Sequence, residues 1–391
     1  MLRKFNLKFL LLQLLKKTFA YKYYQHKPDY NFIITLGVIV FLGLLVLSSA
    51  SSVQAFQKFN DSYWFLKHQL LNGLLPGIFL FFFASQFNYM KWKKYAWKML
   101  LASIFLLILV FIPGLGETYG SAKSWVNLGI IDFQPAEVVK FTFLVYLAAW
   151  LEQKGQHGLK DVQYGLLPFL FALGTIAILI LAQPDLGTLL IIIAMSIIVY
   201  FVAGGQIKHV LFIILIGLAV VFASVQIAPY RLARITAFFN PSVDPQGIGY
   251  HISQAKLAVG SGGLLGLGIG KSRQKFHYLP EVSGDSIFAV MAEEMGFIFS
   301  ALLIFLFFNL TVRSLKIARG SPDQFGKLLT VGIIGWITVQ ALINIGAMVG
   351  LVPLTGLPLP FISSGGSSMA ITLFACGVIT NISKQTRGGQ S

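Results

Sequence analysis

Residues 275–296 read KFHYLPEVSGDSIFAVMAEEMG, a run that carries acidic side chains into an apolar segment. Asp285, Ala289 and Glu293 are spaced four residues apart, so a helix through this run would place both carboxylates on one stripe, about two turns apart. Carboxylates at a membrane edge are costly and usually serve function. The spacing therefore predicts one carboxylate at the mouth of a cavity and a second one below it.

The composition around this run is that of a polytopic membrane protein. Hydrophobic residues make up 56% of the chain, charged residues only 11%, and the mean hydropathy is +0.76. Uncharged stretches of about 18 residues recur, which is the length that crosses a bilayer as a helix. We predict an all-α integral membrane protein with about ten transmembrane helices and a large extracytoplasmic loop before the eighth. The predicted spans are Asn31–Ser49, Leu71–Phe87, Trp97–Leu115, Pro135–Leu151, Gly165–Gln183, Gly187–Ala203, His209–Ile227, Ser286–Leu310, Leu328–Val349 and Ser367–Ile382.

Basic residues predict the orientation of these spans. They cluster before the first span and after the second, fourth, sixth, eighth and last, as in Lys91, Lys154, Lys208 and Arg313. With ten spans all these connections lie on one side, so both termini are expected in the cytoplasm. The net charge of +16 is explained by this distribution, which argues against nucleic-acid binding and favours anionic lipid headgroups as partners.

The chain divides into a basic amphipathic N-terminal extension (residues 1–29), a polytopic membrane domain (30–383) that contains an extracytoplasmic loop (228–284), and a short cytoplasmic tail (384–391). The extension is interpreted either as an interfacial helix or as a dispensable basic segment. The single cysteine, Cys376, excludes an intrachain disulfide.

The loop of residues 228–284 is far longer than an ordinary helix connection, and such loops are usually functional or disordered. Its aromatic residues argue for order, and residues Ile252 to Val259 are predicted to form a short helix. A phosphate-loop interpretation of Gly266–Ser272 fails because Leu265 stands where the first glycine belongs. A metal cluster around His277 is unsupported, since no second His or Cys stands at ligand spacing.

Three other outward segments carry signals. Trp125 lies in a Gly- and Ser-rich stretch that leads to Pro135, which is well placed to open a helix. Glu137 and Lys140 then form an i, i+3 pair inside an apolar helix, and they pair either with each other or with a ligand. Asp185 is predicted to cap the next helix. The Pro- and Gly-rich stretch 350–368 breaks any helix at membrane depth, so it must be buried in protein or line a wet cavity.

Together these motifs resemble a known family. In chain order they are Gly120-Ser-x-x-x-Trp125, Gln134-Pro-x-Glu-x-x-Lys140, Gln183-Pro-Asp-Leu-Gly-Thr188, Gly260-Ser-Gly-Gly-x-x-Gly266, Tyr278-Leu-Pro-Glu281 with Asp285 and Glu293-Glu-x-Gly296, and Asn344-Ile-Gly346 with Pro360-Phe-Ile-Ser-x-Gly-Gly-Ser-Ser368. The ordered set, from about Tyr30 to Ile382, resembles the shape, elongation, division and sporulation (SEDS) family of RodA and FtsW. The chain departs from that family's usual pattern at Ser124, Gly284, Ser286 and Ser364.

The resemblance implies a ten-helix peptidoglycan glycosyltransferase that polymerises lipid II, the lipid-linked disaccharide-pentapeptide, into glycan strands outside the bacterial cytoplasmic membrane. It places the essential loop aspartate on Asp285, the important tryptophan on Trp125 and the charged helix pair on Glu137 and Lys140. It also implies a monofunctional transpeptidase penicillin-binding protein as partner, together with membrane proteins of the divisome or elongasome. An FtsW-like member is favoured, although Pro353–Phe361 is compatible with both branches.

A mechanism follows from joining this resemblance to the residues. Asp285 is predicted to be the general base for the acceptor hydroxyl, with Asp244 and Glu281 in reserve. The departing lipid pyrophosphate needs cations, and the loop offers Arg231, Arg234, Lys256, Lys271, Arg273 and Lys275. Glu293 is expected to shape the cavity with Glu294. No cofactor is predicted, and a divalent cation is an alternative without a ligand cluster behind it.

Two other functions stay open from the sequence. A flippase that carries lipid II across the membrane would also need polar groups inside a helical bundle, and Glu137, Lys140 and Glu293 would suit it. A scaffold that recruits division or elongation proteins would need none of them. The long outer loop with its Asp285 favours catalysis over both.

Overall fold

The computed structural model describes residues 26–119, 122–127, 129, 132–227, 229–243, 247–276 and 278–386. Its helices are α1 Tyr30–Ala50, α2 Ser52–Phe59, α3 Trp64–Gln86, α4 Met90–Lys94, α5 Ala96–Leu109, α6 Pro135–Leu159, α7 Val162–Ala182, α8 Leu186–Val202, α9 Ile207–Ile227, α10 Pro229–Phe239, α11 Ile248–Ser261, α12 Ile287–Gly320, α13 Gln324–Met348 and α14 Gly366–Ser383. Strands β1 Gly116–Tyr119, β2 Ala122–Asn127 and β3 Asp132–Phe133 form an antiparallel sheet in that order.

Seven helices in the described ranges are long and apolar enough to cross a membrane: α1, α3, α7, α9, α12, α13 and α14. Helices α5 and α8 are shorter apolar helices, and α6 carries the charged residues Glu137 and Lys140. The protein is therefore a helical multi-pass membrane protein, which confirms the predicted fold class. Each of the ten predicted spans overlaps one of these ten helices, and the number of crossings itself stays a prediction.

Two helices in the described ranges contain a π-helical turn. In α3 it covers Leu70–Leu74 and in α7 it covers Val162–Leu166, and the α-helical part that follows has proline as its second residue in both. Proline has no N–H to donate to the carbonyl four residues earlier. A local π turn re-satisfies the freed backbone groups, as a helix in a bilayer requires.

Helices α13 and α14 form the centre of the bundle. The buried share of their apolar windows is 67% and 72%, against 28% for α9, whose side chains face outward. Small residues bring α14 close to α3: a Cβ on Gly77 would lie 3.2 Å from the Cα of Ala370, and one on Gly377 would meet the carbonyl oxygen of Phe81 at 2.4 Å. Close backbone approach over glycine is a usual way for membrane helices to associate.

Both described ends of the chain meet at one end of the bundle. The backbone N–H of His26 donates to Lys384 O at 2.9 Å, and that of Asp29 donates to Ser383 Oγ at 3.2 Å. The predicted N-terminal interfacial helix lies mostly in residues 1–25, outside the described residues. We call this the terminal end of the bundle. The end that carries β1–β3, α10, α11 and residues 349–365 is called the loop end.

Helix α12 is broken at Gly296, which has a positive φ of 75°. At about 1.5 Å per residue, the part after the break is alone long enough for a ~30 Å hydrocarbon core. The part before it, Ile287 to Met295, therefore belongs to the loop end, and Glu293 lies there rather than at the bilayer centre. Asp285 precedes the helix altogether, so the prediction that Asp285 and Glu293 share one helical stripe is wrong.

The Gly-rich residues 262–268 fill this break. The N–H groups of Leu267 and Gly268 donate to the carbonyls of Glu293 and Glu294 at 3.0 and 2.9 Å, and Phe297 N–H donates to Gly263 O at 2.9 Å. A Cβ on Gly266 would lie 2.2 Å from Glu294 O, so only glycine permits this approach. The first residues of the stretch that resembles a phosphate loop, Gly266 to Gly268, thus form part of the packing at a helix break.

The small sheet was not predicted. β1 and β2 pair with Glu117 opposite Trp125, and β2 and β3 pair with Asn127 opposite Asp132. Asn127 Nδ2 also donates to Glu117 Oε1 at 2.8 Å, which ties the two ends of the hairpin together. The sheet places Trp125 at the loop end and leads directly into α6.

Candidate active site

Asp285 lies in a tight turn immediately before α12. The N–H groups of Gly284 and Ser286 both donate to Glu281 O, at 2.9 and 3.2 Å, and Glu281 has a left-handed φ of 49°. Asp285 Oδ1 is buried and has no hydrogen-bond partner among the described residues. Unpartnered buried carboxylate oxygens are rare, because the loss of hydration is not compensated. This oxygen is therefore free to accept a proton from a substrate.

Burial raises the pKa of Asp285 to about 6; the negative charge of Glu281 raises it as well, while Arg234 lowers it. A carboxyl group with a pKa close to neutrality is suited to proton transfer at physiological pH. Glu281 itself is exposed. The other reserve candidate for the base, Asp244, lies outside the described residues.

The backbone around Asp285 is fixed by residues 349–365, the connection between α13 and α14. Ser363 Oγ donates to Gly284 O at 2.6 Å, and Ser364 N–H donates to Ser283 O at 2.8 Å. Asn344, on α13, donates from Nδ2 to Asp285 O at 2.8 Å. Helix α13 and the connection that follows it therefore hold the catalytic candidate in place, although both lie about 60 residues or more further along the chain.

Two residues from the long loop, Arg234 and His251, lie at the Asp285 turn. Arg234, on α10, is close enough to affect the pKa of both Asp285 and His251, and its guanidinium group lies next to Gly356. His251, on α11, forms a hydrogen bond between Nε2 and Ser286 Oγ at 2.6 Å. Burial, with the charge of Arg234, lowers the pKa of His251 to about 4, so its ring is neutral at pH 7. Arg234 is the cation beside Asp285.

Glu137 and Lys140 form a buried ion pair in the first turns of α6. Their Nζ and Oε1 atoms lie 2.8 Å apart, and both side chains are at most 5% exposed. Lys140 Nζ also donates to Gln340 Oε1 at 3.0 Å and lies 5.9 Å from the ring centre of Trp336. The ammonium group of Lys140 thus has its hydrogen-bond partners within the protein. This agrees with the alternative in which Glu137 and Lys140 pair with each other rather than with a ligand.

Gln340 and Asn344 connect this ion pair to Asp285. They lie one helical turn apart on α13, so their side chains point to one side. Gln340 Nε2 donates to Pro358 O at 2.9 Å, and Asn344 Nδ2 donates to Leu357 O at 2.8 Å. One continuous polar network therefore runs from α6 through α13 and residues 349–365 to the Asp285 turn. The sequence signal was two amides at i, i+4 in an apolar helix, and it was not recognised.

The turn before α8 supports the same region. Asp185 accepts hydrogen bonds from Thr188 N–H at 2.9 Å and Thr188 Oγ1 at 2.7 Å, which confirms the predicted helix cap. Gln134 Nε2 donates to Asp185 Oδ2 at 3.2 Å, and Gln134 N–H donates to Ser367 Oγ at 3.3 Å. These bonds tie the start of α6 to α8 and α14.

Several predicted binding residues lie elsewhere. Arg231 is buried and donates from Nη1 to Ser224 O at 3.1 Å, near the end of α9. Lys256 is exposed on α11 and packs against Gly350, at the start of residues 349–365. Trp125 is partly buried in β2. Of the cations predicted for the pyrophosphate, the structure brings Arg234 to Asp285.

Glu293 and Lys275 belong to a separate cluster between the loop and α12. Glu293 accepts hydrogen bonds from Ser272 Oγ, from Arg273 N–H at 3.0 Å and from Gln274 N–H at 3.3 Å. Lys275 Nζ forms a buried ion pair with Glu294 Oε1 at 2.8 Å. Both residues hold residues 272–275 on the helix and do not face Asp285. No group of three His, Cys, Asp or Glu residues suited to a metal ion occurs in the described part of the chain.

A model of the FtsW, RodA and SpoVE type, described as cell cycle protein, matches residues 29–388. The chain belongs to this family. The match covers the whole bundle together with the Asp285 turn and residues 349–365, so the resemblance found in the motifs is confirmed.

Individual relatives agree over almost their full length. The chain is 42% identical to stage V sporulation protein E of Bacillus subtilis (strain 168), over 92% of this chain and 98% of that protein. It is 38% identical to a probable peptidoglycan glycosyltransferase FtsW of Geobacter sp. (strain M18), with the same two coverages.

Solved structures show the same fold. A chain from a peptidoglycan synthase complex that coordinates polymerization and crosslinking superposes with a TM-score of 0.77 at 28% identity, over 92% of this chain and 98% of that one. The rod shape determining protein RodA of Thermus thermophilus superposes with a TM-score of 0.68 at 27% identity, over 93% and 98% of the two chains.

Proposed function

We propose that this protein is a peptidoglycan glycosyltransferase that polymerises lipid II at the outer face of the bacterial cytoplasmic membrane. The family and its relatives named as peptidoglycan glycosyltransferases support the reaction class. The observation within the site that carries the proposal is Asp285 Oδ1, a buried carboxylate oxygen without a partner, beside the cation Arg234. Substrate is thus offered a base and a charge partner at one place.

The reaction we propose is a single displacement. The Asp285 carboxylate takes the proton of the acceptor sugar hydroxyl, and the oxygen attacks the anomeric carbon of the donor. The bond between that carbon and the lipid pyrophosphate breaks, and the electron pair leaves with the pyrophosphate. Arg234 neutralises the charge that develops on this leaving group.

The ion pair of α6 is assigned a supporting role. Lys140 is already occupied by Glu137 and Gln340, and Gln340 holds Pro358 in residues 349–365. This arrangement positions the connection that binds the Asp285 turn, and it needs no contact with substrate. Trp125 remains a candidate for substrate contact, and so does a divalent cation.

Orientation and partners complete the proposal. The loop end faces outward and both termini are cytoplasmic, which agrees with the basic residues gathered near the terminal end. We also propose a monofunctional transpeptidase as partner, since the structural relative at a TM-score of 0.77 comes from a peptidoglycan synthase complex. A division role is favoured over elongation by the relatives named FtsW.

The test is polymerisation of purified lipid II by the purified protein, with and without the transpeptidase. Asp285→Asn should fold and bind lipid II but polymerise at least ~10²-fold more slowly, the low end of general-base catalysis. Glu281→Gln, four residues earlier and exposed, is the matched control and should retain activity. Normal polymerisation by Asp285→Asn would overturn the assignment. Transport of fluorescent lipid II into vesicles without any polymer would favour a flippase instead.

The pH profile gives a second check. Activity should rise as Asp285 loses its proton, with a midpoint near the pKa of about 6. Glu281→Gln removes a charge that raises this pKa, so its midpoint should move to lower pH. Arg234→Gln removes a charge that lowers it, so the midpoint should move to higher pH. A profile that ignores both substitutions would contradict the role of Asp285.

A further inference from the structure

A cavity of about 480 Å³ lies between α1, α12 and the loop, apart from Asp285 and its partners. Its size is that of an ordinary ligand pocket. Its walls come from the last turns of α1, from the start of α2, from residues 62–63, from residues 269–276 and from the first part of α12. None of the residues that surround Asp285, Glu137 or Lys140 lines it. The proposed glycosyl transfer leaves this cavity without a role.

Hydrogen bonds between α1 and α12 place the cavity at membrane-interface depth. Ser49 Oγ donates to Glu294 Oε2 at 2.5 Å, and Asn309 Nδ2 donates to Thr35 Oγ1 at 3.0 Å, so the two helices run antiparallel in a fixed register. Glu294 is thus level with the last turn of α1, where that helix reaches the loop end. A cavity at this level meets headgroups at one end and hydrocarbon at the other.

The lining has the same two-part character. Its hydroxyl groups come from Ser48, Ser49, Ser52, Ser62 and Tyr63. The apolar part consists of Leu45, Val46, Val53, Ile269, Phe276, Met291 and Met295. Several of the apolar side chains are strongly exposed, with Ile269 at 69% and Phe276 at 52%. In a bilayer such side chains face lipid, so the cavity opens toward the membrane.

The loop segment that contributes to the cavity is basic. Residues 269–276 carry Lys271, Arg273 and Lys275 and no acidic residue. Lys275 lines the cavity and is neutralised by Glu294, while Lys271 and Arg273 are exposed beside it. A polyprenyl pyrophosphate, with several negative charges, would need free cations inside the cavity, and the lining cation in the described ranges is already paired. A singly charged phosphodiester fits a hydroxyl-lined cavity with flanking cations better.

We propose that this cavity is a binding site for an anionic phospholipid of the surrounding bilayer. One acyl chain packs against Leu45, Met291 and Met295, and the hydroxyls of Ser48, Ser62 and Tyr63 donate to the phosphate and glycerol oxygens. Lys271 and Arg273 supply the preference for negative charge. The site is independent of the proposed glycosyl transfer, since its occupant is neither substrate nor product.

The test measures lipid retained by the full-length protein in detergent, by native mass spectrometry, after exposure to equal amounts of phosphatidylglycerol and phosphatidylcholine. The wild type should retain phosphatidylglycerol preferentially. Ser48→Phe fills the cavity from α1 without touching the ion pair, and should lower that retention at least tenfold. Val38→Phe adds the same ring to an exposed position of the same helix and should change nothing.

A second variant covers the event that Ser48→Phe does not fold. The double variant Lys271→Gln with Arg273→Gln changes exposed side chains. It should retain phosphatidylglycerol and phosphatidylcholine in equal amounts. Equal retention in wild type and Ser48→Phe, or equal retention of the two lipids by the wild type, would overturn the proposal. So would displacement of phosphatidylglycerol by an equal amount of polyprenyl phosphate. Polymerisation of lipid II is not part of the readout, so failure here leaves the proposed function intact.

Discussion

The buried carboxylate of Asp285 should make the protein less stable at neutral pH than its neutral isostere. Its pKa is raised from 3.8 to about 6, chiefly by burial. A shift of about two units corresponds to roughly 3 kcal/mol, because each unit is worth about 1.36 kcal/mol. The folded state holds the proton more tightly than the unfolded state, so this stability is present below pH ~4 and is lost as the pH rises through about 6. Asp285→Asn removes the titration and should be more stable by up to roughly 3 kcal/mol at pH 7.5.

The assay is thermal unfolding of wild type and Asp285→Asn in the same detergent at pH 4, 5, 6 and 7.5. With an unfolding entropy of about 2.1 cal/mol/K per residue over 391 residues, 3 kcal/mol corresponds to a Tm difference of about 4 °C. The difference should vanish near pH 4. Glu281→Gln should show a much smaller gain, since that side chain is exposed. Equal Tm values at pH 7.5, or a gain that persists unchanged at pH 4, would refute the idea that burial of the charged Asp285 carboxylate destabilises the folded state.

Three further outcomes follow from the contacts. Glu137→Gln or Lys140→Met alone should each lower the free energy of unfolding by about 3–5 kcal/mol, because a buried charge is left unpaired. The double variant should recover expression and thermal stability. A double variant as unstable as the single variants would contradict the pairing. Asn344→Leu leaves the carbonyl oxygens of Asp285 and Leu357 without their hydrogen-bond donor. It should lower the rate of polymerisation several-fold more than an Asn→Leu change far from the site. Steady-state rates measured at matched expression levels test this. Ser261→Cys should react with an impermeant maleimide on intact cells and Ser321→Cys should not, since α12 separates them; the reverse pattern would invert the proposed orientation.

Much of the fold could be predicted from the sequence, because the formation of membrane helices depends mainly on local sequence. A backbone in hydrocarbon must satisfy its own hydrogen bonds, so long apolar runs become helices regardless of their neighbours. The helices α1, α7 and α13 begin and end within a few residues of their predicted spans. The cap at Asp185 was predicted for the same reason, since its partners lie within one turn of the chain.

Features that depend on distant partners were missed. The break in α12 at Gly296 is stable because residues 262–268 lie beside it. The sequence of neither segment indicates that the two are in contact. The contacts of Glu293 and Glu294 were likewise missed, because a sequence does not show that Ser272 and Lys275 reach them. The small sheet β1–β3 fell in a stretch too short and too rich in glycine to show strand alternation.

The sequence alone determined that the chain is a helical membrane protein, and it indicated Asp285 as an acid next to an apolar helix. Only the tertiary structure decided what surrounds that acid. Arg234, Asn344 and Ser363 come from segments separated by long stretches of chain, and a pKa is set by what packs around a group rather than by its neighbours in sequence. A hydrophobic span depends on the residues within the span itself. A functional site depends on contacts between side chains that are distant in sequence, and the packing of the whole bundle determines which of them meet.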